Sequence, residues 1–199
     1  QRAEWNHDAN LQWELLEHAS HVGVQRWVRD LNWLYRSEPA LHELDCEPAG
    51  FQWVDCNDTE QSLLSFLRRG RSTEDLILVA CNFTPVARHG YRLGVPRGGH
   101  WQEVLNSDAE PYWGQGEGNF GGVGASDIPS HGHPFSLELT LPALGVVFLK
   151  SEGPLAGPGL PKPSTKPTES PPRTPERPRS RRKATGKARA GKRTRRTRG

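Results

Sequence analysis

His131 and His133 stand two residues apart in the run SHGH, and imidazole is a common metal ligand. Two ligands do not close a metal shell, and no Cys or carboxylate cluster accompanies them, so the spacing is a weak signal and favours ordinary loop residues. Asp55, Asp58 and Glu60 in DCNDTE lack the spacing of a calcium loop and read as turn residues. Ser130 precedes His131 directly, but adjacency alone supplies no base with an orienting partner. Trp53, Trp101 and Trp113 offer flat apolar faces on which a ligand ring can stack. Strand positions assign Trp53 and Trp101 to a core, whereas Trp113 sits in a Gly-rich segment and belongs at the surface.

Charge divides the chain. Residues 152–199 hold 15 of the 26 Lys and Arg but only three acids, a balance of +12. The remaining residues carry −9, so an acidic body bears a basic tail. The last stretch, RSRRKATGKARAGKRTRRTRG, contains no aromatic residue. It suits nonspecific, salt-dependent contact with polyanions and not base stacking. A solubilising tail, or a strap on the −9 body, are the other readings. Rich in Pro, Ser, Thr, Lys and Arg, residues 152–199 are expected to be disordered. Cys46, Cys56 and Cys81 form no CxxC pair, which predicts free thiols in a reducing compartment. With no signal peptide and no apolar run of 18 residues, the expectation is a cytoplasmic protein with no membrane contact. The sequence contains no Met and opens on Gln1, so its natural start is expected to lie upstream.

The elements that position these residues change period partway along. Asp8 is placed to cap a short helix carrying Leu11, Leu15 and Leu16. Val24, Trp27, Val28, Leu31, Leu34 and Tyr35 recur at three and four residues, predicting an amphipathic helix from about Val22 to Ser37 that ends near Pro39. After Pro48 come seven strand-like runs: FQWVD, SLLSFLRR, DLILVACNF, ARHGYRLGV, GHWQEVLN, FSLELTLP and LGVVFLK. Leu137, Leu139 and Leu141 share one face, and Glu138 and Thr140 the other. Short strands separated by Gly, Pro, Asn and Asp predict a mainly β fold, an antiparallel β-sandwich. One connection, residues 107–133 with seven glycines, is long enough to be functional, docked on a neighbour, or mobile.

Several of these stretches, in this order, carry a resemblance. EWNHDANLQWELLEH, GVQRWVRDLNWLYRSEPALHELD, GFQWVDCND, VACNFTPVARHGYRLGVP, WQEVLNSDAEPYWGQGEGNFG and SHGHPFSLELTLPALGVVFLK together resemble the C-terminal end of bacterial glycogen branching enzymes, members of the α-amylase superfamily. The resemblance covers about residues 2–151. It implies three segments: 1–48, the last loop and helix of a catalytic (β/α)8 barrel; 49–151, a C-terminal all-β sandwich; and 152–199, a tail outside the family pattern. The implied activity cleaves an α-1,4 bond in a glucan and moves the segment to a 6-hydroxyl, forming an α-1,6 branch in glycogen biosynthesis. Implied partners are α-glucan chains and an upstream barrel, and the resemblance implies no metal and no cofactor.

Such chemistry needs a carboxylate nucleophile and a carboxylic acid about 5 Å apart, at the ends of barrel strands. No motif here matches those residues, so no catalytic residue is assigned and the chain alone is expected to be inactive. EWNHD comes closest to a substrate site. The resemblance places it on the last strand-to-helix loop, where Trp5 would stack on a sugar ring and Glu4, Asn6 and Asp8 would bond sugar hydroxyls. Trp5 packed under the loop and Asp8 capping a helix are the structural alternatives. Trp113 is the candidate glucan contact on the sandwich. A glucan-binding module without catalysis and a polyanion-binding protein remain the rival functions. Without a barrel, the face from Val24 to Tyr35 is expected to stay exposed and drive association of isolated chains.

Overall fold

A computed structural model describes residues 6–153. Glu4, Trp5 and the basic tail beyond residue 153 lie outside the described residues. All seven strand-like runs form strands: β1 (Phe51–Asp55), β2 (Leu63–Arg69), β3 (Leu76–Asn82), β4 (Arg88–Val95), β5 (His100–Asn106), β7 (Phe135–Leu141) and β8 (Val146–Ser151). An eighth, β6 (Gly122–Gly124), arises within the Gly-rich connection.

Six strands form an antiparallel sheet in the order β1-β2-β3-β8-β5-β6, and β4 pairs with β7 in a second sheet. The core between the sheets is made by alternate side chains. Leu63, Leu67, Leu78, Trp101, Val147 and Leu149 come from the large sheet; Leu93, Val95, Leu137, Leu139 and Leu141 come from the small one. The expected alternation in β7 is observed: Leu137, Leu139 and Leu141 are buried while Glu138 is exposed. The fold is thus a mainly antiparallel β-sandwich with a short helical N-terminal part.

The helical part begins with a 3-10 turn, Trp13–Glu17, followed by α1 (Ala19–Ser37) and the single-turn α2 (Pro39–His42). Helix α1 starts three residues before the periodicity predicts and stops at Ser37, where Pro39 restricts the preceding residue and opens α2. Asp8 does not cap the 3-10 turn. Gln12 occupies that position without a side-chain cap, and the Asp8 backbone N–H instead donates to Asn6 Oδ1 at 3.0 Å.

Helix α1 does not leave its whole apolar stripe exposed. Leu34 is buried, and Trp27 and Leu31 pack on a second cluster with Leu41, Ile77, Val79 and Leu105. That cluster lies on the outer face of the large sheet. The reason is legible in β3, whose side chains from Leu76 to Ala80 are all buried: its outward Ile77 and Val79 need a cover as much as its inward Leu78 does. Polar ties fix the cover. Arg68 Nη2 donates to the Leu41 carbonyl at 3.0 Å and to Asp45 Oδ1 at 2.6 Å, and Lys150 Nζ donates to Glu38 at 2.9 Å. Val24, Val28 and Tyr35, on the other half of the stripe, are exposed. No described helix is long and apolar enough to cross a membrane.

Trp101 is fully buried, as its strand position predicts. Trp53 is not a core residue. It is 49% exposed and stands with Phe51 and Phe66, ring centroids 4.8 Å and 5.9 Å away. Strand β1 is the edge of the large sheet, so its outward face lacks the cover that α1 and α2 give the centre.

Candidate functional site

The long connection after β5 is docked, not loose. Buried Asn119 holds it at one end: its N–H and Nδ2 donate to Glu103 Oε2 at 3.0 and 2.7 Å, and its Oδ1 accepts the Thr140 N–H at 2.9 Å. The two carboxylate oxygens of Asp108 accept the N–H groups of Gln115 and Glu117, both at 3.1 Å. Each interaction satisfies a backbone or carboxylate group that the loop would otherwise leave bare.

A 3-10 turn at Glu110–Tyr112 carries the segment against α1. Gly23 lets the two backbones meet, since a Cβ there would stand 2.5 Å from the Tyr112 carbonyl oxygen. Tyr112 sets its ring edge-on to Trp27, with centroids 5.3 Å apart, and its hydroxyl donates to Asp30 Oδ2 at 3.0 Å. Arg29 donates to the same carboxylate at 2.7 and 3.1 Å. Those bonds hold the Asp30 carboxyl below its usual range, the Arg29 bond most of all, against the opposing effect of burial. Burial first, and then the bond to Asp30, push the Tyr112 hydroxyl up to about 12.

This clamp presents Trp113. Its backbone sits in the left-handed region, φ 70° and ψ 27°, where non-glycine residues are uncommon. Its side chain is 66% exposed. Beside it lies an open depression of about 320 Å³ lined by Glu17, Ala19, Val22, Arg26, Glu110, Pro111 and Trp113. Asn6 and Asp8 are exposed in the segment that leads into the 3-10 turn ending at Glu17. Trp113 is therefore at the surface, as its Gly-rich context predicts. Glu17, Arg26 and Glu110 escape a sequence reading because they come from three separate elements and form no motif.

The Ser130–His131 pair has a geometry of its own. Ser130 Oγ lies 2.9 Å from His131 Nδ1, and His131 Nε2 lies 3.4 Å from Asp55 Oδ2. The Gly94 N–H also donates to Nδ1, at 3.2 Å. With that lone pair engaged by backbone, the imidazole is a strap between β4 and Asp55 and not a free base for Ser130. Among the described residues, no three His, Cys, Asp or Glu side chains gather as a metal site.

Comparison with known proteins follows the sandwich. Residues 53–152 match the family described as alpha amylase, C-terminal all-beta domain. The chain is 58% identical over 150 residues to the 1,4-alpha-glucan branching enzyme GlgB of Aquifex aeolicus, covering 75% of this chain and 24% of that protein. It is 56% identical over 152 residues to the 1,4-alpha-glucan branching enzyme GlgB of Aromatoleum aromaticum, covering 76% and 24%. Over 147 residues it is 57% identical to that of Pseudomonas putida, covering 74% and 20%. The chain thus spans about a quarter or a fifth of the length of these relatives.

Proposed function

The chain belongs to the family of alpha amylase C-terminal all-beta domains, and from that premise we propose that it serves as the C-terminal part of a 1,4-alpha-glucan branching enzyme. The observation that carries this reading is sustained identity of 56–58% across about 150 residues, about three quarters of the chain, with three such relatives. The whole enzyme would cleave an α-1,4 bond through a covalent glucosyl intermediate. A 6-hydroxyl of a second chain, in place of water, would then release it as an α-1,6 branch. The two carboxylates for these steps belong to an upstream barrel, so this chain alone is inactive.

Residues 1–48 then act as the end of that barrel, 49–151 as the supporting sandwich, and 152–199 as an appended tail. The two-sided apolar stripe of α1 supports the division. Trp27, Leu31 and Leu34 bind the helix to the sandwich, and exposed Val24, Val28 and Tyr35 offer the other half to the barrel. Glu4, Trp5, Asn6, Asp8 and Trp113 are the residues proposed to meet α-glucan, in a cytoplasmic enzyme. The reading is tested by the α-1,6 linkages formed in amylose when the chain is joined to an upstream barrel.

The +12 balance of residues 152–199 favours a second, separate contact with polyanions. Deleting residues 152–199 is expected to abolish retention on a heparin column at low salt. Retention unchanged by the deletion would assign the contact to the body.

A further inference from the structure

We infer that the depression beside Trp113 is an α-glucan subsite of its own, formed by the Trp113 indole, Glu17, Arg26 and Glu110. Its assignment to α-glucan rests on the branching-enzyme reading; its existence as a sugar site rests on geometry. A pyranose offers an apolar C–H face and a rim of hydroxyls. Trp113 offers the matching flat surface, 66% exposed at the edge of a depression of about 320 Å³, within the size range of small-ligand sites. Around it stand two carboxylates that accept hydroxyl protons and one guanidinium that donates. No hydrogen bond or ion pair joins the side chains of Glu17, Arg26 and Glu110 to the described residues, and the Arg26 charge reaches Asp30 only as a minor electrostatic influence, so their polar ends are available to a ligand. Two acids against one base also disfavour an anionic ligand and suit a neutral polyol.

The backbone supports a purpose beyond packing. A Trp held at φ 70° is costly, and its ring gains little burial in return. The strain is maintained by the Gly23 contact, the Trp27–Tyr112 ring pair and the Tyr112–Asp30 bond, which together fix the turn that aims the indole outward. Phe120 makes a useful contrast: it is also at positive φ and 99% exposed, but it does not line this depression.

The test is calorimetric titration of the 199-residue chain with maltoheptaose, with cellohexaose as the β-linked control. Wild type is expected to bind maltoheptaose in preference to cellohexaose. Trp113→Gly is expected to weaken binding about tenfold. Its Tm should hold or rise, because glycine adopts φ 70° freely. Trp113→Phe should retain most of the affinity, and Arg26→Ala should lower it several-fold. No binding by wild type, equal binding of the β-linked sugar, or wild-type affinity in both Trp113→Gly and Arg26→Ala would overturn the subsite. None of these results touches the branching-enzyme reading, which is judged by α-1,6 linkages.

Discussion

Trp101→Ala is expected to cost about 4 kcal/mol of stability, whereas Trp53→Ala costs about 1 kcal/mol. Both residues are tryptophans on strands of the same sheet, and their surroundings separate them. Trp101 is fully buried between the two sheets, and its indole N–H donates to the Arg97 carbonyl at 3.3 Å. Truncation leaves a cavity that the packed leucines around it cannot close, and it removes the indole's hydrogen bond to the Arg97 carbonyl. Trp53 is half exposed on the edge strand and loses mainly its ring contacts with Phe51 and Phe66. Urea unfolding followed by far-UV circular dichroism measures both without relying on tryptophan emission. Equal losses would contradict the burial described here.

Gly23→Ala is expected to destabilise the protein by about 2 kcal/mol, although alanine is the better helix former by about 1 kcal/mol. The added Cβ would stand 2.5 Å from the Tyr112 carbonyl oxygen and 3.0 Å from Trp113 Cβ, and backbone cannot give way as a flexible side chain would. Relief requires the turn Glu110–Tyr112 to lift, which forfeits the Tyr112 contacts with Trp27 and Asp30. A second readout follows from pH. The Tyr112 hydroxyl is raised to about 12 in the folded state, against an ordinary value of 10.0. Its contribution is therefore whole below pH 10 and lost as pH climbs through about 12. Gly23→Ala should flatten that part of the alkaline limb, leaving the limb due to Tyr91, which burial and its bond to Asp58 also raise. A variant more stable than wild type, with its alkaline limb intact, would show that α1 and the turn are not in contact.

Period and punctuation made most of the fold legible. Gly, Pro, Asn and Asp cut the β region at the right places, and each apolar run between them is a strand. Strand β6 was not legible because GVG has almost no side chain to show a period; it exists because the docked loop brings it beside β5. The fate of the α1 stripe could have been read from DLILVACN. A run apolar on both faces announces a sheet covered on both sides, and so a helix already partnered. Trp53 misled because strand membership alone does not reveal an edge. The candidate site was only partly visible. Trp113 stood out by type and by its Gly-rich setting, but its partners converge from the 3-10 turn before α1, from α1, and from the turn after β5. The clamp that aims it depends on one missing Cβ at Gly23, which no local pattern marks.

The most direct measurement is made on a chimera. The 150 residues of the Aquifex aeolicus branching enzyme that this chain matches are replaced by the corresponding residues of this chain, and α-1,6 linkages formed in amylose are counted by proton NMR. The chimera is expected to branch amylose, while the same enzyme lacking that segment and this chain by itself both fail to. A folded chimera that forms no α-1,6 linkage, or branching by the isolated chain, would contradict the role proposed for it as the non-catalytic end of a branching enzyme.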